Sequence, residues 1–190
     1  NLMTRTPLLD MSPVQIDGTD GDAQTLLAGA KARLGFVPNM YGYMANLAPL
    51  LATYLGSYDG FRQTSGFTPA EQETVFLTIS RVNGCSYCLA AHSMIADRKS
   101  GVPADSLAAL RAGGDLPDPK LRAVAVFTEA MLVSRGNPGR AAVDAFLAAG
   151  YGESQVLGVV LAIACKSISN TVNHLAATPV DAVFAPYALA

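Results

Sequence analysis

What this chain lacks narrows it first. Thirteen Lys plus Arg stand against fifteen Asp plus Glu, a formal charge of −2, and no basic run is able to follow a phosphate backbone. That excludes nucleic acid as an expected partner. The longest strongly apolar run, Val156 to Cys165, is about half of the roughly 20 residues a bilayer crossing needs. The N-terminus shows no basic-then-apolar signal pattern, so the expectation is a soluble, cytoplasmic protein without a membrane partner. Three cysteines are too few for a disulfide framework, and in a reducing compartment a close pair points to redox or metal chemistry. No segment reads as a convincing β-strand.

What is present is apolar and periodic. With 190 residues, 51% of them hydrophobic, the chain is long enough for one well-buried core. Residues 1–19 are rich in Pro, Thr and Asp without a period and read as an arm. From residue 20 to 190 the pattern is that of a single all-helical domain, all-α in class. Helical spacing runs over Asp22–Leu34 and Pro38 to about Gln63, with Gly35, Pro38 and Pro49 as punctuation. It resumes over Asp105–Ala112, Lys120–Arg135, Arg140–Ala149 and about Glu153–Ala177.

The segment about 67–100 carries the chemistry. Thr68-Pro69-Ala70-Glu71 is a helix start in which Thr68 caps and Glu71 reaches back as the capping-box acid. Glu71 is thereby occupied, whereas Glu73 on the same helix has no evident structural task. Gly84 permits a turn into a second helix, on which Cys85, Cys88 and His92 stand at i, i+3 and i+7 and share one face. Free amides and the positive dipole end at that helix start favour a thiolate, and an imidazole one turn on can carry the thiol proton.

On the last helix Leu157, Leu161, Cys165, Ile168, Val172 and Leu175 form an apolar stripe, which makes Cys165 a core residue. Lys166, Asn170, Asn173 and His174 form a second, polar stripe. It predicts an inter-helix hydrogen-bond network or, for His174, a place bordering the active pocket. Glu73-x11-Cys85-x2-Cys88-x3-His92 has the spacing of Gln155-x11-Ser167-x2-Asn170-x3-His174, an echo compatible with an internal two-lobe duplication. Tyr87 and Tyr151 are read as packing residues, with Tyr87 a candidate for the pocket wall.

The pattern Glu-x11-Cys-x2-Cys-x3-His resembles the alkylhydroperoxidase D-like (AhpD-like) proteins of the carboxymuconolactone decarboxylase superfamily, and every position of it is filled. The resemblance extends over most of the chain, from Leu34-Gly35-Phe36-Val37-Pro38-Asn39 to Asn170-x2-Asn173-His174 and Thr178-Pro179-Val180-Asp181, and is nearest the peroxidase-related branch. It implies an AhpD-like helical bundle assembled as a homo-oligomer, trimer or hexamer. It further implies a peroxide-reducing dithiol recharged by a thiol, dithiol or thioredoxin-like partner, with no metal or organic cofactor. Carried over by position, Cys88 is the peroxidatic cysteine, Cys85 the resolving one, and His92 with Glu73 the proton relay. The AhpD pattern has His directly before its second cysteine, where this chain has Tyr87.

The expected reaction is attack of Cys88 thiolate on a hydrogen peroxide or organic hydroperoxide oxygen, with Glu73 acting through His92 on the protons, then disulfide formation with Cys85. Three alternatives stand beside it: a disulfide oxidoreductase or redox sensor without a peroxidase rate, a lactone decarboxylase, and a zinc module using Cys85, Cys88, His92 and Glu73.

Overall fold

A computed structural model describes residues 5–189. Nine α-helices and two 3-10 turns make up the regular structure of the described residues, with no strand among them. The helices are α1 (Gly21–Leu34), α2 (Asn39–Met44), α3 (Ala48–Thr64), α4 (Pro69–Val82), α5 (Ser86–Arg98), α6 (Ala104–Ala112), α7 (Pro119–Val133), α8 (Arg140–Ala148) and α9 (Glu153–Ala176). The stretch expected to be helical from Pro38 to about Gln63 is two helices. Pro49 cannot donate a backbone hydrogen bond, so the chain turns at Ala45–Leu47 and restarts with Pro49 in the first turn of α3.

Helix α4 is the axis of the fold, packed by α5, α6, α7 and α9. Every residue from Glu71 to Ser80 is buried, so its polar side chains must find partners inside the protein. The capping box forms as the sequence dictates: Glu71 N donates to Thr68 Oγ1 at 3.2 Å and Thr68 N donates to Glu71 Oε2 at 2.9 Å. Glu71 also accepts from Tyr151 Oη at 2.8 Å, which ties the start of α4 to the loop before α9. An aromatic cluster of Phe61, Phe67, Phe76, Phe127 and Phe146 fills one side of α4, and Leu77, Leu89, Leu110 and Leu121 fill another.

Helix α9 departs from the expected stripe. Cys165 is buried, but Leu157 is 68% exposed, and the buried face runs through Ala162, Lys166, Ser169, Asn170 and Asn173. Glycine, alanine and serine let α9 approach α3 and α4 closely, and that close approach brings the polar stripe inside. By length and composition α9 could cross a bilayer, with a mean hydropathy of 1.4; here it packs against α2, α3, α4 and α5. The spacing echo stops at the sequence. Gly84, with φ +66°, breaks the first segment into α4 and α5, whereas Lys166 stands at the equivalent position and α9 continues through it.

Candidate functional site

The site lies where the α4–α5 turn meets the second half of α9. Two α9 residues grip that turn: Asn83 Nδ2 donates to Asn170 Oδ1 at 2.9 Å, and His174 Nε2 lies 3.3 Å from the Gly84 carbonyl. Cys85 follows as the N-cap of α5, with its sulfur accepting from Cys88 N at 3.5 Å. Cys88 therefore sits in the first turn of α5, where the helix dipole favours an anion.

All four residues assigned to the relay and the thiol pair come together in the core. Glu73 is fully buried; one carboxylate oxygen meets Arg62 in a short ion pair, and the other accepts from His92 Nδ1 at 2.8 Å. The ring's opposite nitrogen, Nε2, accepts from Lys166 Nζ at 2.9 Å. Both ring nitrogens are thus engaged, and neither bonds to Cys88. The nitrogen of His92 that is not bound to Glu73 meets a lysine.

The chain of ionisable groups is Arg62, Glu73, His92, Lys166, Cys88. Burial alone would neutralise each of these groups. Burial disfavours Glu73 as an anion, but His92 and Arg62 outweigh it and hold its carboxyl below the ordinary range. Burial, helped by the Lys166 charge, lowers His92 and keeps the imidazole neutral. Burial also works against the Lys166 cation, yet the Cys88, Cys165 and Cys85 sulfurs overcome it and raise that group above its usual value.

The two thiols split in opposite directions. Burial opposes a Cys88 thiolate, but the hydrogen bond from Cys85, the Lys166 charge and Ser169 hold Cys88 well below the ordinary thiol value. Cys85 is raised, chiefly because its proton is shared with Cys88 and secondarily by burial. Asn173 Nδ2 adds a donor 3.3 Å from Cys88 Sγ and 3.7 Å from Cys85 Sγ, and Ser169 Oγ lies 3.7 Å from Cys88 Sγ. The arrangement can hold a reduced, half-ionised dithiol.

A cavity of about 310 Å³ opens onto Cys88, His92 and Lys166, and Cys85 is not among its lining residues. Its wall includes Tyr41, Tyr54 and Tyr58, whose rings succeed one another at 5.8 and 5.9 Å, with Tyr58 stacked on Phe76 at 5.5 Å. Tyr87 also lines the cavity, and its hydroxyl donates in a short bond to Asp181. His174 and Asn170 do not line it; they hold the turn from behind. The four residues weighed as a zinc set are bound instead to one another and to cationic side chains. Among the described residues no three His, Cys, Asp or Glu side chains converge as metal ligands.

Sequence reasoning placed Lys166 in a polar stripe and gave it no chemical role, and Arg62 and Ser169 were missed. A signal for Lys166 was present: a lone lysine in an apolar helix, with no acid three or four residues to either side. Arg62 had none, since only the packing of α3 against α4 brings it to Glu73.

This buried dithiol, set in an all-helical bundle, defines a helical thiol-site protein. The chain belongs to the carboxymuconolactone decarboxylase family, whose model matches residues 49–149, and its fold is AhpD-like. It is similar to the alkylhydroperoxidase AhpD core of an uncharacterized peroxidase-related protein from Ralstonia eutropha JMP134, with 20% identity, TM-score 0.79, and 95% of this chain and 93% of that one covered. An uncharacterized peroxidase-related protein from Silicibacter sp. TM1040 gives 21% identity, TM-score 0.73 and coverages of 97% and 95%. A single-residue variant of the debrominase Bmp8, in complex with 2,3,4-tribromopyrrole, gives 19% identity, TM-score 0.76 and coverages of 94% and 95%. No curated protein matches the chain significantly.

Proposed function

We propose that this protein is a thiol-dependent peroxidase in which Cys88 is the peroxidatic residue, Cys85 the resolving one, and Glu73 with His92 the proton relay. One observation carries the reading: of the two thiols it is Cys88, whose surroundings favour the anion, that faces the cavity. Cys88 thiolate attacks the distal peroxide oxygen, forming an S–O bond as the O–O bond breaks. The leaving alkoxide takes a proton at the cavity end of the buried chain in which Glu73 acts through His92 and Lys166. Cys85 then attacks the sulfenic acid, releasing water and closing a disulfide that an external dithiol or thioredoxin-like partner reduces.

The cavity is far larger than hydrogen peroxide requires, and its wall is aromatic. An organic hydroperoxide with an apolar body fits it best. A dithiol resting state suits a reducing compartment, in keeping with the cytoplasm. Exposed Leu157 and Val160 on α9 suit a homo-oligomer contact.

The test is thiol counting by mass spectrometry before and after one equivalent of cumene hydroperoxide or hydrogen peroxide. Wild type loses two thiols into a Cys85–Cys88 bond, Cys85→Ser stops at a Cys88 sulfenic acid, and Cys88→Ser does not react. A Cys88→Ser variant that reacts at the wild-type rate overturns the assignment. The aromatic cavity also favours a second reading, removal of bromine from a bromopyrrole-like ring by the same thiolate. Release of bromide from tribromopyrrole, with no reaction toward either peroxide, would select it.

A further inference from the structure

Lys166 is fully buried, and among the described residues no carboxylate forms an ion pair with it. The groups that face it come from four helices. From α5 come His92, its hydrogen-bond partner at 2.9 Å, and Cys88, with Cys85 at the cap. From α4 comes the Phe76 ring, 5.5 Å from Nζ, with Glu73 reached only through the imidazole. From α3 comes Tyr58, with Arg62 one step further away, paired to Glu73, and on α9 itself stands Cys165. The anion that can balance a buried ammonium here is therefore a sulfur, and the better placed is Cys88, in the first turn of α5 with Asn173 Nδ2 3.3 Å from its Sγ. A buried charge without its counter-ion is strongly disfavoured and is relieved by loss of a proton.

We propose that Lys166 is the immediate proton carrier of this dithiol, an ammonium beside the Cys88 thiolate and a neutral amine beside the disulfide. The proposal rests on the reading of Cys85 and Cys88 as a redox pair. The balance closes. Cys88 thiolate takes the distal oxygen with its hydrogen and becomes a sulfenic acid, while the leaving alkoxide takes a proton from the Lys166 ammonium and departs as an alcohol. Cys85 attacks the sulfenic sulfur, its proton leaving with the hydroxide as water, and the disulfide stands next to an uncharged amine. An external dithiol then supplies two electrons and two protons; one proton returns to Cys85, the other to Lys166, and the ion pair is restored. His92 and Glu73 orient the amine and hold the neighbouring charges in place, so they are positioning residues for this step.

The decisive measurement needs neither substitution nor peroxide. The exchange equilibrium between the protein disulfide and dithiothreitol is followed between about pH 6 and about pH 8, where the reagent's thiols stay mostly protonated. If Lys166 discharges on oxidation, both sides exchange two protons and the constant does not change with pH, even though ultraviolet absorbance shows a thiolate in the reduced protein. If Lys166 keeps its proton, the constant rises about tenfold per pH unit, because each unmatched proton contributes one factor of ten, and the proposal is wrong.

Two variants extend the test. Lys166→Met loses the thiolate absorbance near neutral pH; a retained thiolate overturns the pairing. Lys166→Arg keeps a fixed cation that cannot release its proton, so it retains the thiolate, acquires the tenfold-per-unit pH dependence and loses about a hundredfold in peroxide rate. An arginine variant as fast as wild type overturns the donor role. If wild type is inert to peroxides while the exchange remains independent of pH, the peroxidase reading falls and the lysine cycle stands.

Discussion

The two halves of α9 invert the ordinary relation between polarity and burial. Near its start Leu157 is 68% exposed and Val160 46%, whereas further along Lys166, Asn170 and Asn173 are at most 5% exposed. Stability is at stake mainly in the second half. Apolar side chains at a surface cost little, but a buried ammonium or amide is tolerated only with partners. Each of the three buried groups has one: His92 for Lys166, Asn83 for Asn170, and the two thiols for Asn173. The polar half walls the thiol cluster, and in the apolar half Val159 and Ala162 pack inward while Leu157 and Val160 are free to meet another surface.

That contrast can be broken from the inside first. Glu73→Ala leaves Arg62 and its neighbours without their buried anion and should cost about 3–5 kcal/mol, read from denaturant unfolding; a cost below about 1 kcal/mol would show that the network does not depend on this ion pair. Next in size is Asn173→Ala. Removing a donor to a charged sulfur costs about 1.5–3 kcal/mol, so Cys88 should titrate higher in the pH profile of iodoacetamide alkylation. Alkylation of wild type should stay nearly flat as pH falls through neutrality, because Cys88 ionises well below the ordinary thiol range.

Acid should loosen the fold in a defined direction. Glu73 ionises more readily folded than unfolded, so its contribution is complete above the ordinary value of 4.5 and disappears as pH falls through the lower folded value. In Glu73→Gln that part of the acid sensitivity is absent, which a pair of unfolding curves at neutral and acidic pH would reveal. Asn170→Ala should cost about 1 kcal/mol through the loss of one bond to the Asn83 turn. The smallest effect belongs to the outer half: Leu157→Ser changes the stability of the isolated chain by less than about 0.5 kcal/mol. If Leu157 sits in a contact between copies, the same change lowers the oligomer size seen by light scattering.

The helices were legible because their signals are local. Thr68 and Glu71 form the expected capping box with Pro69 in the first turn, and Gly84 in a left-handed conformation separates α4 from α5. The phase of Cys85, Cys88 and His92 follows from 3.6 residues per turn. Glu73 was distinguishable from Glu71 for the same reason, since a capping acid is already committed. The place of Lys166 beside His92 was not legible, because spacing along one helix says nothing about a lysine arriving from another. The apolar stripe on α9 placed Cys165 in the core correctly and missed at Leu157, because periodicity reports which residues share a face and packing decides how far along the helix that face is covered.

An all-helical chain, two thiols and an imidazole on one helix face, and an acid one helix earlier all follow from the order of residues alone, because helix periodicity and caps depend on near neighbours. It took the packed molecule to turn Cys88 toward the cavity, to leave the proton on Cys85, and to set Lys166 between the imidazole and the sulfur. Those outcomes depend on burial and on charges brought together from α3, α4, α5 and α9, and burial is a property that no single segment carries.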